Sequence, residues 1–301
     1  MDAYAAVERL WPDRGVRVTP LSGGITNHNF RVDVDDRTFV LRIGGAQTRL
    51  LGIDRAVEYQ ASLRAAEVGL GPRVAAFVED RAWLVTDFIE GQPISVEEMR
   101  APAVIERVAK ALKRFHEAAP IPGRFDSFAV VEQYRRDAEE HGVVIPDAYP
   151  AAERVADRIR TERGTQPEVP CHNDLLNANF IDDGEIRIVD WEYAGMGDRF
   201  FDLANFSVNH EFEVEDDRGL LQGYFGRARE GDLASLRLMR FMSDFREAMW
   251  GVLQSGISEL DFDFKGYADK HFTRMQETAS RSDFNIFLRT VGANEAESET
   301  R

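Results

Sequence analysis

The segment spanning residues 171–193 constrains the fold most, because it places carboxylate and amide side chains around a strong turn signal. Asp183-Gly184 is typical of two-residue β-hairpin turns, and a hairpin turning there sets Asn179 opposite Ile188. Asp190 then becomes a diagonal neighbour of Asn179 on the same face, with Cα atoms about 7–8 Å apart. An amide oxygen and a carboxylate at that separation can share one hard cation such as Mg²⁺. The hairpin therefore predicts a metal site formed by Asn179 and Asp190.

Asp174 lies in the loop that leads into this hairpin, five residues before Asn179. A free carboxylate beside a bound metal is what phosphoryl transfer needs to orient an attacking hydroxyl and accept its proton. His-x-Asp with an Asn five residues later, and a further Asp beyond a hairpin, is the spacing of a kinase catalytic loop. Asp174 is therefore predicted to be the catalytic residue. His172 is expected to brace the loop, with metal ligation as its alternative role, and solvated hairpin carboxylates are the alternative for the whole segment.

The rest of the chain divides into a β-rich part and a helical part. Side-chain periodicity predicts a hairpin of Asn29–Val34 and Thr38–Ile43, a helix over Ile53–Val68, and strands at Val74–Val78 and Trp83–Phe88. Helices are expected near Pro102–Ala118, Val131–His141, Ala151–Thr161 and Asp232–Ser255. We therefore predict an α+β, bilobal fold, with a nucleotide-binding lobe at residues 1–90, a mainly helical catalytic and acceptor-binding lobe at 91–293, and a disordered polar tail at 294–301.

A glycine-containing loop before the first hairpin strand suits a nucleotide phosphate tail. Glycines let a backbone approach phosphates closely, and hydroxyl side chains add donors. The alternative is a plain turn, for which Gly-Gly at a strand start is equally typical. A hairpin turning at residues 35–36 sets Asn29 opposite Arg42, so that Arg42 points from the same face as this loop.

Arg42 is the predicted substitute for the strand lysine that contacts phosphates in protein kinases. No lysine precedes Lys110, so that role falls to Arg42 or is absent. Glu58 on the next helix is the expected partner, with Glu67 on the same helix as a rival. The alternative for Arg42 is a solvated cation on a sheet face.

Two further features complete the predicted nucleotide site. Val40 lies on the same face as Arg42, placed to cover an adenine ring, and the backbone near Asp87 and Ile89 at the predicted hinge would meet the adenine edge. The predicted ATP-binding residues are Ser22, Gly23, Gly24, Thr26, Asn27, Asn29, Val40, Arg42, Glu58, Asp87 and Ile89.

The strings HNDLLNANF and IVDWEYAGMGDRFFDLANF closely resemble the bacterial choline/ethanolamine kinase branch of the aminoglycoside phosphotransferase (kinase-like) superfamily. The resemblance runs from residue 21 to about residue 254 and is weaker between residues 123 and 168. It implies a protein-kinase-like fold, ATP and Mg²⁺ as cofactors, and an arginine in the VLRI run where protein kinases have the lysine. It also implies that Asp202 braces the catalytic loop, while Trp191 is expected to be buried behind the metal loop.

The acceptor site is predicted from aromatic and acidic residues near the metal pair. A quaternary ammonium is held best by aromatic faces with carboxylates nearby, and Glu192 and Tyr193 follow the predicted metal loop directly. Glu247 and Trp250 share one stripe of the helix predicted over residues 232–255. The resemblance implies cage aromatics at Tyr193 and Trp250, whereas a second tryptophan of some relatives is Leu253 here. That departure keeps ethanolamine or another small amino alcohol open beside choline.

The charge balance restricts the partners. Thirty-seven basic and 53 acidic residues give a net charge of −16, which disfavours nucleic acids and anionic membranes and suits a cationic substrate. No stretch approaches the roughly 18 apolar residues of a membrane span, and no leader pattern is visible at the start. The single cysteine, Cys171, excludes an intrachain disulfide and suits a reducing compartment. A cytoplasmic protein is expected, with a homodimer left open.

These features favour an ATP- and Mg²⁺-dependent kinase that phosphorylates the hydroxyl of choline or ethanolamine. Within the same fold, thiamine, an aminoglycoside or a sugar are the alternative acceptors. A pseudokinase acting as a binding module is disfavoured because Asp174, Asn179 and Asp190 are all present. A metal-dependent hydrolase built on His172 and Asp174 would leave the glycine loop and Arg42 without a role.

Overall fold

Two lobes make up the protein in a computed structural model, which describes residues 3–21, 27–45 and 47–298, with side chains as far as residue 292. The smaller lobe contains helix α1 (Ala3–Leu10), strands β1 (Val16–Leu21), β2 (Asn27–Val34) and β3 (Arg37–Gly44), helix α2 (Arg55–Glu67), and strands β4 (Val74–Val78) and β5 (Trp83–Asp87). The strands form one antiparallel sheet in the order β1-β2-β3-β5-β4. This sheet positions the residues that are predicted to bind the nucleotide.

Strands β2 and β3 form the predicted hairpin. Asn29 pairs with Arg42 and Val34 pairs with Arg37, so the predicted register is confirmed. Successive side chains of a strand point to opposite faces. Leu41 is therefore fully buried in the small core, while Arg42 lies on the other face and contacts α2 and the larger lobe.

Helix α2 occupies the predicted helical segment, and β4 and β5 occupy the two predicted strands that follow it. Asp54 caps α2, because its carboxylate accepts hydrogen bonds from the N–H groups of Ala56 (2.8 Å) and Val57 (3.2 Å). Glu58 falls in the first turn, where the helix dipole favours a negative charge. It is nevertheless only 2% exposed, which a carboxylate tolerates only when it is paired.

The larger lobe is mainly helical and is organised around one long helix. Its elements are β6 (Gln92–Pro93), α3 (Val96–Met99), α4 (Pro102–His116), α5 (Ser127–Glu140), α6 (Tyr149–Arg163), β7 (Glu168–Cys171), β8 (Phe180–Asp182), β9 (Ile186–Ile188), β10 (Gly195–Asp198), α7 (Arg199–Asn209), α8 (Val214–Phe225), α9 (Glu230–Ile257), α10 (Phe264–Ser280) and α11 (Phe284–Ser298). The predicted helices correspond to α4, α5, α6 and α9. Helix α9 has 28 residues, most of them buried, and packs against α5, α7, α10 and α11.

The hairpin of β8 and β9 exists, but its predicted register is wrong by one residue. Phe180, rather than Asn179, pairs with Ile188. The loop therefore has three residues instead of two, with Gly184 in a positive-φ conformation (φ 104°) that glycine adopts without strain. The Asp182 carboxylate stabilises this wider loop by accepting the Gly184 N–H (2.9 Å). Asn179 is instead bonded through its carbonyl to the N–H of residue 189 (3.0 Å).

Two hydrophobic cores underlie the lobes, and they do not divide at the predicted boundary. The smaller core joins α1 to one face of the sheet. The larger core fills the helical lobe and also takes in Ala61 and Ala65 of α2 and Leu70 after it. By packing, α2 is thus shared with the larger lobe. The boundary at residue 90 stays a prediction.

The chain end differs from its prediction. Helix α11 continues to Ser298, so disorder from residue 294 is wrong for residues 294–298, and residues 299–301 lie outside the described part. Alanine and glutamate have high helix propensity, which explains why this polar stretch can extend the helix. Among the described residues, none of the helices has both the length and the apolar character needed to cross a bilayer.

Candidate active site

The loop after β7 carries the predicted catalytic residue and is held from beneath by α7. Asp202, in the first turn of α7, accepts the backbone N–H of His172 (2.8 Å) and of Asn173 (2.6 Å). His172 donates from Nε2 to the Val189 carbonyl (3.0 Å) and accepts the Asp174 N–H at Nδ1 (3.2 Å). Burial lowers the pKa of His172, which favours the neutral ring that this pattern requires. His172 and Asp202 therefore brace the loop, as predicted.

Trp191 is buried behind the metal loop, as the sequence indicated. Its exposed fraction is 3%, and its ring packs against Phe115 and against the edge of His172 with centroid distances of 4.3 and 4.5 Å. The indole N–H donates to the Ile188 carbonyl (3.1 Å). These contacts fix the backbone immediately after Asp190, so Trp191 supports the site from the core.

A second cluster of groups that could bind metal lies under the same loop. His116, Cys171 and Asp202 approach one another closely and are all buried. The Asp202 carboxylate already accepts His116 Nε2 (3.0 Å) besides the two loop N–H groups, and His116 Nδ1 is bonded to the Tyr224 hydroxyl (2.7 Å). Burial raises the pKa of the Cys171 thiol, which favours the protonated form. This cluster is therefore a hydrogen-bonded brace for the loop.

Asp174 is buried beside a guanidinium from helix α9. It is 8% exposed, and Arg246 Nη1 donates to its Oδ1 (3.2 Å). Burial raises the pKa of Asp174; Arg246 opposes the rise, and Glu247 adds to it. A carboxylate with a raised pKa is a better proton acceptor for a hydroxyl than an ordinary aspartate. The position and chemistry of Asp174 thus suit a general base.

The predicted metal pair offers two oxygen donors of the kind that Mg²⁺ prefers. Asn179 Nδ2 donates to the Asp174 carbonyl (2.9 Å), which leaves the amide oxygen as the group that can face a cation. Asp190 follows β9 with φ 69°, a conformation that costs a non-glycine residue about 1 kcal/mol or more and is typical of functional positions. The one-residue register shift removes the predicted same-face relation of Asn179 and Asp190, so a divalent ion shared by this carboxylate and this amide oxygen stays a prediction.

Arg42 links the two lobes at the Asp190 carboxylate. Its Nη1 donates to Glu58 Oε1 and to Asp190 Oδ1, each at 2.6 Å. Although burial alone would lower the pKa of Arg42, Asp190 and Glu58 raise it, so the guanidinium is charged. The rival partner, Glu67, instead pairs with Arg64 on the exposed side of α2. The predicted Arg42–Glu58 pair is therefore present.

A second arginine, which the sequence analysis missed, extends this network. Arg55 Nη1 contacts Glu58 Oε2 (2.6 Å) and Glu192 Oε2 (3.1 Å), and its Nη2 donates to Asn27 Oδ1 (2.7 Å). Asn27 Nδ2 in turn donates to Glu192 (2.8 Å). We call these six residues the interlobe ion cluster: Asn27, Arg42, Arg55, Glu58, Asp190 and Glu192. The i,i+3 spacing of Arg55 and Glu58 was the available signal, but its link to residue 192 has no sequence signature.

The structure gives partial information on the remaining predicted ATP residues. Ser22, Gly23, Gly24 and Thr26 lie outside the described residues. Asn29 pairs with Arg42 in the sheet, and Val40 is half-buried on the Arg42 face. The Asp87 N–H already donates to the Arg73 carbonyl (2.8 Å), so a backbone contact from Asp87 to a nucleotide would use its carbonyl. The Ile89 carbonyl accepts the Gly91 N–H (3.1 Å), which favours the Ile89 N–H as a donor.

The predicted acceptor residues of α9 lie together with Tyr193 beside Asp174. Trp250 Nε1 donates to the Tyr193 hydroxyl (3.0 Å), and Arg246 stacks over the Tyr193 ring at 4.3 Å. Tyr267 of α10 donates to Glu247 Oε2 (2.7 Å). We call the following residues the acceptor pocket, after the role predicted for Tyr193, Glu247 and Trp250: Asp174, Tyr193, Arg246, Glu247, Trp250 and Tyr267. Glu192, also predicted for this pocket, has its described side-chain contacts in the interlobe ion cluster.

Helix α10 supplies aromatic surface that the sequence analysis did not anticipate. The Trp250 ring meets the rings of Phe264 and Tyr267 edge-on, with centroid distances of 5.8 and 5.5 Å. Leu253, at the position of the second tryptophan of some relatives, is fully buried in the core. Phe264 and Tyr267 thus add aromatic rings beside Trp250. Two aromatic residues three apart at the start of the helix after α9 were the signal that could have revealed it.

The protein combines a small sheet lobe with a helical lobe. It carries a buried aspartate in the loop after β7, an Asn/Asp oxygen pair, and a strand arginine held by a helix glutamate. This combination defines a kinase-like phosphotransferase. The family model described as Phosphotransferase enzyme family matches residues 17–239. The chain belongs to this family, and it is a small-molecule kinase.

Comparison with known proteins indicates which members of that family this chain resembles. The human choline/ethanolamine kinase is 24% identical over 89% of this chain and 81% of its own length, and a probable ethanolamine kinase A from Dictyostelium discoideum is 23% identical over 88% and 86%. A solved choline/ethanolamine kinase family protein from Mesorhizobium loti is 32% identical, covers 96% of both chains and has a TM-score of 0.82. A choline kinase from Streptococcus pneumoniae, 21% identical over 91% of this chain and 96% of its own, shares the fold with a TM-score of 0.76. The resemblance and the kinase-like fold expected from the sequence are confirmed.

Proposed function

We propose that the protein transfers the γ-phosphoryl group of ATP to the hydroxyl of a small amino alcohol, choline or ethanolamine. The observation that carries the proposal is the acceptor pocket itself. Aromatic rings of Tyr193, Trp250 and Tyr267 and the carboxylate of Glu247 lie next to Asp174. Aromatic faces and a carboxylate attract a cation, while Asp174 meets the hydroxyl that the same small molecule carries.

Asp174 would act as the general base. It would accept the proton of the acceptor hydroxyl as that oxygen bonds to the γ-phosphorus and the bond from phosphorus to the β,γ-bridging oxygen breaks, with ADP leaving. His172, Asp202 and the Asn179 amide fix the loop backbone, so the carboxylate is held in place before substrate binds. Preorganised groups of this kind lower the reorganisation cost at the moment of reaction.

Asn179 and Asp190 would hold Mg²⁺, which supplies charge neutralisation for the phosphate oxygens. Arg42, fixed by Glu58, would contact the phosphates from the smaller lobe. Ser22, Gly23, Gly24, Thr26, Asn27 and Asn29 are proposed to line the phosphate tail, with Val40 over the adenine and the backbone of Asp87 and Ile89 at its edge. This proposal assigns the nucleotide to residues 1–90 and the acceptor to residues 91–293.

Glu192 is proposed to border the acceptor while it pairs with Arg55.

A cytoplasmic setting suits an ATP-dependent enzyme whose single cysteine is a buried free thiol. A homodimer stays a proposal that sedimentation of the purified protein would test.

The test is an ADP-release assay with choline, ethanolamine, thiamine and an aminoglycoside, each with Mg²⁺ and with excess chelator. We expect turnover of choline or ethanolamine that depends on Mg²⁺, with the phosphomonoester product seen by ³¹P NMR. Turnover confined to thiamine or to the aminoglycoside would reject the acceptor and leave the phosphotransferase class intact.

A further inference from the structure

Arg246 places a guanidinium against the aromatic face of Tyr193 inside the acceptor pocket. Its side chain is 1% exposed, and Cζ lies 4.3 Å from the centroid of the Tyr193 ring. The same guanidinium contacts Asp174 Oδ1 (3.2 Å) and Glu247 Oε1 through Nη1. Burial alone would lower the pKa of Arg246, but Glu247 and Asp174 raise it, so a permanent positive charge sits against this ring.

Burial of the Arg246 guanidinium is energetically unfavourable for the folded protein. The Nε and Nη2 atoms of Arg246 are buried, with no hydrogen-bond partner among the described residues. Unpaired buried polar groups destabilise a folded protein. A core-facing residue of α9 could be apolar, as the neighbouring Phe245 and Met249 are. Arg163 and Arg237 also have buried nitrogens of this kind. What distinguishes Arg246 is therefore its place against Tyr193 and Asp174.

The Arg246 guanidinium should distinguish acceptors by the number of N–H groups on their ammonium group. A quaternary ammonium donates no hydrogen bonds and depends on open aromatic faces, and the Tyr193 face is covered by Arg246. A primary ammonium is smaller and donates three hydrogen bonds, which carboxylate oxygens of Glu247 can accept. We propose that Arg246 is a specificity-determining residue that favours primary amino alcohols such as ethanolamine over N-methylated ones, choline above all.

This inference rests on the proposed function and is tested with a graded substrate series: ethanolamine, its N-methyl and N,N-dimethyl derivatives, and choline. For the wild-type protein we expect kcat/KM to fall along the series, by about tenfold or more between ethanolamine and choline, because each methyl group removes an N–H donor. This result does not depend on any variant being stable.

The second measurement uses Arg246→Gln. Because Arg246 also contacts Asp174, turnover should fall for every acceptor, so the readout is the choline-to-ethanolamine ratio of kcat/KM within one variant, which cancels that common loss. Opening the Tyr193 face should raise the ratio by about 2- to 30-fold. Arg240→Gln is the matched control, because Arg240 is a half-buried arginine of the same helix that pairs with Asp217 and Ser207, away from the pocket. Its ratio should equal that of the wild type.

The outcomes separate the two proposals. Equal kcat/KM across the four amino alcohols, a preference for choline, or an unchanged ratio in Arg246→Gln would overturn the role of Arg246 alone. Turnover of thiamine or an aminoglycoside with none of the four amino alcohols would overturn the proposed function, and this inference with it.

Discussion

The interlobe ion cluster and the acceptor pocket meet at the catalytic loop but are built from different interactions. In the cluster, Arg42 and Arg55 of the smaller lobe bind carboxylates of both lobes, and their side chains keep exposed fractions of 13% and 12%. In the pocket, side chains from α9, α10 and the loop after β9 combine ion pairs of Arg246 with ring packing and with neutral hydrogen bonds such as that of Trp250 to Tyr193.

This difference implies different responses to ligands. A guanidinium bound to a carboxylate can exchange that partner for a phosphate, because both are oxyanions with similar geometry. Packed aromatic rings have no such alternative partners, so the pocket keeps its shape whether or not an acceptor is present. We expect nucleotide affinity to be controlled by exchange of ion-pair partners, and acceptor selectivity to be controlled by the fixed positions of the pocket rings and of Arg246.

Asp190→Ala should have the largest effect, because it removes the proposed anionic metal ligand and the larger-lobe partner of Arg42 together. We expect Mg²⁺-dependent ADP release to fall to the background rate, measured at saturating ATP and acceptor. Glu185→Ala is the control, since Glu185 is an exposed carboxylate in the loop of the same hairpin. Appreciable turnover by Asp190→Ala at raised Mg²⁺ would contradict the metal role.

Asp174→Asn should lower kcat by roughly 10²–10⁴ while leaving the ATP dissociation constant nearly unchanged, because only proton transfer and hydroxyl orientation are lost. The amide keeps the size of the side chain and its place beside Arg246. Single-turnover kinetics with nucleotide titration would measure both quantities. Near-normal kcat would exclude Asp174 as the base.

Arg42→Ala should weaken ATP binding selectively. It should raise the KM for ATP by roughly tenfold or more, with little change in the KM for the acceptor. Arg42→Lys is expected to recover only part of this loss, because a point charge cannot reproduce the guanidinium contacts to both Glu58 and a phosphate. Arg31→Ala, on the neighbouring strand and paired with Asp33, is the control. A larger effect on the acceptor KM would place Arg42 in the pocket instead.

Trp250→Ala should have the smallest effect, raising the acceptor KM by about 2- to 30-fold through loss of one aromatic face while the ATP KM is unchanged. Trp250→Phe keeps a ring but loses the hydrogen bond to Tyr193, so its effect should be smaller. Initial rates at varied acceptor and fixed saturating ATP provide the comparison. Equal changes in both KM values would indicate a general structural role for this tryptophan.

The sequence predicted the parts of the site that depend on local spacing. Asn29 opposite Arg42 followed from one hairpin turn, and the contact with Glu58 followed from the helix that comes next. The register at Asn179 was wrong because a two-residue and a three-residue turn are both compatible with Asp183-Gly184, and a side-chain bond from Asp182 decides between them.

The parts that could not be predicted depend on contacts between distant segments. Arg55 and Glu192 are 137 positions apart and pair across the lobes, without any periodic signal. Arg246 was missed because α9 is buried on nearly all sides, so that its position in the helix repeat did not distinguish a pocket residue from a surface one. Tyr267 reaches Glu247 only because α10 packs along α9.

The length and burial of α9 have a consequence for how this protein could acquire new substrates. Arg246, Glu247 and Trp250 lie within about two turns of one rigid helix, whose backbone is fixed by packing on several sides. Single codon changes in this short stretch can therefore alter the range of acceptors, without insertion or remodelling of a loop. Helix α9 is thus the segment in which gene duplicates of this chain would be expected to diverge first.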